Sequence, residues 1–144
     1  MSTEANKDLW RRFVETFNQG NLAAFDDLFT PEFRPRDTVM PIPPGPVGMQ
    51  QLAGVVRSAF SDAHETIEDL IAEGDKVMMY ATLRGTHTGA FLGIAPTGKA
   101  VAWKVVVIGR VANGKFAEIW QVHDQLGLLQ QLGATITLPV QAPT

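Results

Sequence analysis

The chain has 144 residues, 45% of them hydrophobic, 19% charged, and a net charge of −3. One domain of that size buries a sizeable core. The acidic balance and the lack of a basic stripe argue against nucleic acid, and the absence of cysteine excludes disulfides, thiolate nucleophiles and cysteine-ligated metal.

Leu9, Trp10, Phe13, Val14 and Phe17 recur at helical spacing, which predicts a helix over 3–19 with Gly20 as its C-cap. Asn21 is placed to N-cap a second helix over 22–29 that stops before Pro31. Pro35, Pro41, Pro43, Pro44 and Pro46 crowd the next stretch, which reads as an extended loop. Its apolar members Val39, Met40 and Ile42 need a surface to lie on, so the loop either covers a cavity or is a plain connection. Arg34, Arg36 and Asp37 accompany it, as solvated charge or as contacts for an acidic or ester group. A third helix is expected over 47–60, with Gly48 and Gly54 marking close packing or a bend.

From Thr66 the period changes to two. Strands are expected over 66–73, 77–87, 99–111 and 116–123. Turn residues separate them at Glu73–Lys76, Ala95–Gly98 and Ala112–Lys115. A short apolar helix follows. Helices segregated from an antiparallel meander predict an α+β fold in which a curved sheet wraps the helices and leaves a conical pocket. Met1–Asp8 is polar, without a secretory signal, and no apolar run is long enough to span a membrane. The expectation is a cytoplasmic protein with no membrane partner.

Alternation puts Ile119, Gln121 and His123 on one face of the last strand, and Trp103, Val105 and Val107 on one face of the strand before it. The opposite face carries Trp120, Val122, Val106 and Ile108, apolar enough to predict a homodimer or homotetramer. On the pocket face His123 is either a general base at neutral pH or a hydrogen-bonded histidine at the sheet's end, and Gln121 either orients a carbonyl or is a satisfied core amide. Asp124 either caps the final helix or serves as a catalytic acid. His87 reads as a structural hydrogen-bonding group and His64 as a surface residue. The histidine spacings fit no metal site, and no phosphate loop is present.

Several blocks carry a family resemblance. They are Phe-Asn-Gln-Gly-Asn (17–21), Gly-Pro-Val-Gly (45–48), Glu-Asp-Leu-Ile-Ala-Glu-Gly-Asp-Lys-Val (68–77), Gly-Thr-His-Thr-Gly through Lys (85–99), Arg-Val-Ala-Asn-Gly-Lys (110–115) and Gln-Leu-Gly-Leu-Leu-Gln-Gln-Leu-Gly (125–133). In this order the sequence resembles the SnoaL-like polyketide cyclases, ester cyclases of the NTF2-like superfold.

One such domain is expected over 1–133, and 134–144, with Pro139 and Pro143, reads as a loose or partner-seeking tail. The resemblance implies a cone-shaped α+β barrel with N-terminal helices on a curved antiparallel sheet, assembly through the sheet, and aldol ring closure of an aromatic polyketide ester without a cofactor. It also places the cyclases' acid/base aspartate on Gln121, their supporting polar residues on Val105 and Val107, and an asparagine on Phe33. Together with the residues that alternation turns inward, the expected substrate contacts are Trp103 (as pocket floor or as core), Val105, Val107, Ile119, Phe33 and Trp10. Two functions stay open: proton abstraction beside a carbonyl of a small apolar ligand, or binding of that ligand without chemistry.

Overall fold

A computed structural model describes residues 2–36 and 41–139; Asp37, Val39 and Met40 of the expected covering loop lie outside them. Helix α1 (Thr3–Gln19) starts at Ser2, whose hydroxyl accepts from the Ala5 N–H at 3.0 Å, and ends at Gly20 in the left-handed region (φ 72°). It is followed by a 3-10 helix (Leu22–Asp27), β1 (Phe29–Arg36), α2 (Pro46–Ala59), β2 (His64–Glu73), β3 (Lys76–Thr86), β4 (Ala100–Ala112), β5 (Lys115–His123) and α3 (Gln125–Gln131). Strand order is β1-β5-β4-β3-β2. The meander β2 to β5 is antiparallel, as expected.

The 22–36 segment departs from expectation. The second helix is shorter, of 3-10 type, and Asn21 makes no side-chain cap. Phe29 instead opens a strand that runs parallel to β5, so the sheet is mixed. The two prolines of this strand, Pro31 and Pro35, are tolerated because β1 is an edge strand, where a missing N–H need not break a ladder. The register shifts between Phe29 and Arg34. Long-range pairing with Phe116 decides the conformation of Phe29, and local propensity does not.

Helix α1 lies over β2 and β3, and α2 lies over β1 and the 3-10 helix. Their aromatic side chains close one end of the space under the sheet. Trp10 packs on Phe116 at 4.2 Å between ring centroids, Phe13 stacks on Phe25 at 5.0 Å, and Phe29 meets Phe33 edge-on at 4.6 Å. Each such pair adds about 0.5–1.5 kcal/mol beyond area burial. The Trp10 indole N–H donates to the Val77 carbonyl at 3.0 Å, fixing α1 on β3 without an orphaned donor.

Gly48 lets α2 approach the Pro43 carbonyl closely, as expected of a packing glycine. Gly54 faces open space, so its presence is not explained by packing. Arg36 and Arg110 both bind Glu118 (3.0 and 2.7 Å), tying β1 to β5 and β4 on the outer face of the sheet. Arg36 is thus occupied there. His87 is buried and anchors the following loop, its Nδ1 accepting the Thr97 N–H at 3.1 Å, while His64 is exposed.

Candidate functional site

Between the helices and the concave face of the sheet lies a cavity of about 380 Å³. Trp10, Phe13 and Phe17 of α1 line it, with Met49, Leu52 and Val56 of α2. From the sheet come Met79 and Leu83 of β3, Trp103, Val105 and Val107 of β4, and Ile119, Gln121 and His123 of β5. Exposed lining residues Val55 and Leu92 mark the mouth. The polar ends among the lining residues, apart from the two indoles, belong to Glu65, Gln121, His123 and Gln125. A large apolar cavity with few polar groups is the usual form of a small-molecule site.

The register explains why Trp103, Val105, Val107, Ile119, Gln121 and His123 meet. Val105 pairs with His123, Val107 with Gln121 and Gly109 with Ile119, so alternate residues of both strands share the inner face. Phe33 is also fully buried, but it packs against Phe29 and is not a lining residue. Asp124 begins α3, and its carboxylate accepts the Gly127 N–H at 2.9 Å. It is exposed and does not line the cavity. Asp124→Ala should cost about 1 kcal/mol of stability, the loss typical of an N-cap. Urea unfolding measures that cost; a drop in ligand affinity with unchanged stability would show that the side chain serves the cavity instead.

A short relay of hydrogen bonds runs along the wall. The Trp103 Nε1–H donates to His123 Nδ1 at 3.2 Å. An indole can only donate, so Nδ1 is the acceptor and the neutral imidazole carries its proton on Nε2. Nε2 stands 3.5 Å from Gln121 Oε1, at the outer limit of a hydrogen bond. The Gln121 amide N–H groups then have no acceptor among the described residues and are available to the cavity.

Burial pulls the His123 pKa down to about 4. Protonating it would also break the Trp103 bond, which serves the neutral ring alone. His123 therefore stands in the cavity as a neutral donor that orients Gln121, with its basic nitrogen already engaged. Of the two readings of His123, the Trp103 hydrogen bond matches the hydrogen-bonded histidine at the sheet's end.

The sequence reading missed Glu65. Its side chain lines the cavity, the residue is 5% exposed, and its carboxyl has no hydrogen bond or ion pair among the described residues. Burial alone raises its pKa to about 8. Its backbone is held by Asn18 of α1, which accepts the Glu65 N–H at 2.8 Å and donates to the Glu65 carbonyl at 2.9 Å. The Asn18 amide thus satisfies a backbone pair on the free side of edge strand β2. The signal was present: starting the strand at His64 puts Glu65 in phase with Ile67 on the inner side. Among the described residues no three acidic or histidine side chains are gathered to hold a metal ion, and none of their helices is long and apolar enough to cross a membrane.

Fold and cavity together define an NTF2-like α+β protein with a largely apolar cavity between its helices and its sheet. The SnoaL-like polyketide cyclase family model matches residues 7–132, so the chain belongs to that family. It is 33% identical over 122 residues to the nogalonic acid methyl ester cyclase of Streptomyces nogalater, covering 83% of this chain and 91% of the relative. It is 28% identical over 136 residues to an aklanonic acid methyl ester cyclase of Streptomyces peucetius, covering 92% of each. The structure of TsrD from Streptomyces laurentii superposes with a TM-score of 0.86 at 30% identity, covering 94% of this chain and 99% of that one.

Proposed function

We propose that this protein is a cofactor-independent cyclase that binds a polycyclic, carbonyl-bearing ester and closes a ring by intramolecular aldol addition. The observation that carries the reading is the Trp103–His123–Gln121 relay on an otherwise apolar wall. It holds donors in place where a carbonyl oxygen gains charge, the arrangement that lowers the barrier to enolate and alkoxide formation. A cavity of about 380 Å³ suits such an ester. The relatives to which the chain is similar are named as cyclases of nogalonic and aklanonic acid methyl esters.

Nogalonic and aklanonic acid methyl esters are the test substrates. Ring closure is an isomerisation, so product should elute differently at unchanged mass. Gln121→Leu should lower kcat by about 100-fold, as removal of a single oxyanion donor does. Failure of the wild-type protein to convert either ester would sink the reading.

One observation favours a second reading: Gln121 occupies the position where the resemblance places the cyclases' aspartate, and an amide cannot trade a proton. In that case the protein is a binder of the same ligands, and the esters should raise its melting temperature without being converted.

We also propose that the outer face of β4 and β5 pairs with a second copy of the chain. Val122 is 70% and Ile108 38% exposed beside the part-buried Val106 and Trp120. The Lys76 ammonium lies 5.7 Å from the Trp120 ring and covers part of that patch. Sedimentation equilibrium should give a dimer or tetramer at micromolar concentration; a monomer would remove the proposal.

A further inference from the structure

We propose that Glu65 is the general base of this cavity, taking the proton from the carbon next to the ligand's carbonyl. The inference rests on the cyclase reading above and supplies the base that Gln121 and His123 do not. Glu65 lines the same cavity from the other flank of the sheet. It pairs with Leu83 across β2 and β3, and Leu83 pairs with Trp103 across β3 and β4, so the three share one inward row. Three interstrand spacings, roughly 14 Å along the sheet, separate β2 from β5. Carboxyl and donor relay therefore address the ligand from opposite sides of a concave wall.

The carboxyl has no partner among the described residues, while the Glu65 backbone N–H and carbonyl are both held by Asn18. A side chain fixed this way serves no evident structural need, because leucine would fill the space without the cost of desolvating a carboxyl. No cation faces it. Arg57 of α2 donates to the Phe17 and Ala63 carbonyls. His64, Arg84 and Lys104 lie on the outer side by alternation, and Glu15 of α1 is exposed. Among the titratable groups of the cavity wall that leaves only His123, which is neutral near pH 7. An isolated carboxylate of raised pKa is a stronger base than an ordinary one, and water-poor walls preserve that strength.

The step balances without any co-reactant. The C–H proton moves to a Glu65 carboxylate oxygen, and its electron pair delocalises onto the adjacent carbonyl as an enolate. The enolate carbon bonds to a second carbonyl carbon of the same molecule as that C=O π bond breaks. The new alkoxide takes back the proton from Glu65. Gln121 is the donor placed to hold one of the two oxygens.

The test uses the full chain, nogalonic and aklanonic acid methyl esters, and Glu65→Gln, which keeps shape and removes the base. Ligand affinity should persist while kcat falls by at least about 100-fold, the usual range for a lost general base. Wild-type kcat/KM should rise tenfold per pH unit and level off above about pH 8. Conversion that survives Glu65→Gln overturns the assignment of Glu65 and leaves the cyclase reading standing. Absence of conversion by the wild type overturns both. Should the variant fail to fold, the wild-type profile decides: a rate that is flat or falling from about pH 6 to about pH 9 excludes this base.

Discussion

Replacing Glu65 by leucine should stabilise the protein by several kcal/mol at about pH 9, and most of that gain should vanish at about pH 5. In the folded state the Glu65 carboxyl titrates at about 8, against an ordinary value of 4.5. Between those values the folded chain keeps a proton that the unfolded chain has released. Stability is therefore full below about pH 4.5 and declines as pH rises to about 8, by a total on the order of 5 kcal/mol. Leucine has no proton to lose and removes this slope.

His123 works in the opposite sense. Its folded pKa of about 4 lies below the ordinary 6.5. The unfolded chain binds the proton first, so stability is lost as pH falls from 6.5 to 4, by up to about 3 kcal/mol. From about pH 4.5 to about 6.5 the two slopes oppose one another, and above that window Glu65 alone erodes stability. Urea unfolding of wild type and Glu65→Leu at about pH 5, 7 and 9 measures this directly. Parallel pH profiles for the two proteins would show that Glu65 is ionised in the folded state and would remove the buried acid from the site.

The element order and most of the cavity wall were legible in the sequence because they rest on local periodicity. Trp103, Val105, Val107, Ile119, Gln121 and His123 alternate, and alternation survived folding. Asp124 was legible both as a cap and as an acid, and in the structure its carboxylate accepts the Gly127 N–H.

Three things were not legible, each for a long-range reason. Strand β1 depends on pairing with β5 some 85 residues later, and its prolines gave the contrary local signal. The chemistry of His123 depends on the indole of Trp103, which occupies its basic nitrogen. The residue type allowed a base or a hydrogen-bonding group, and only the placement of Trp103 shows which nitrogen is engaged. Glu65 looks like an ordinary edge-strand charge until Asn18 and the apolar cavity are placed around it. The family resemblance named the fold and pointed to Gln121, while the only buried carboxyl that lines the cavity among the described residues stands on a different strand.

The second large effect lies where α1 meets the sheet. Gly109→Ala should destabilise the protein by about 3 kcal/mol or more, at the upper end of overpacking costs. Gly109 sits in β4 between the buried, inward-facing Val107 and Val111, opposite Val77 and Ile119. A methyl group there would lie 2.5 and 2.7 Å from two carbons of the Phe116 ring and 3.2 Å from Trp10. Phe116 is fully buried and packed on Trp10 and Phe29, so its ring has no free volume to move into. Relief must come from Trp10, which is tied to the Val77 carbonyl and lines the cavity. Moving it lifts α1, and with it Phe13 and Phe17 of the cavity wall. The variant should therefore lose ester affinity together with stability. Gly54→Ala is the matched control: in α2 the added methyl meets no atom within 4 Å. It should gain about 0.5–1 kcal/mol from helix propensity alone. Urea unfolding of the two variants against wild type gives both signs. A Gly109→Ala protein as stable as wild type would mean that the aromatic cluster is loose enough to yield, and that α1 is not held to the sheet by Trp10 and Phe116.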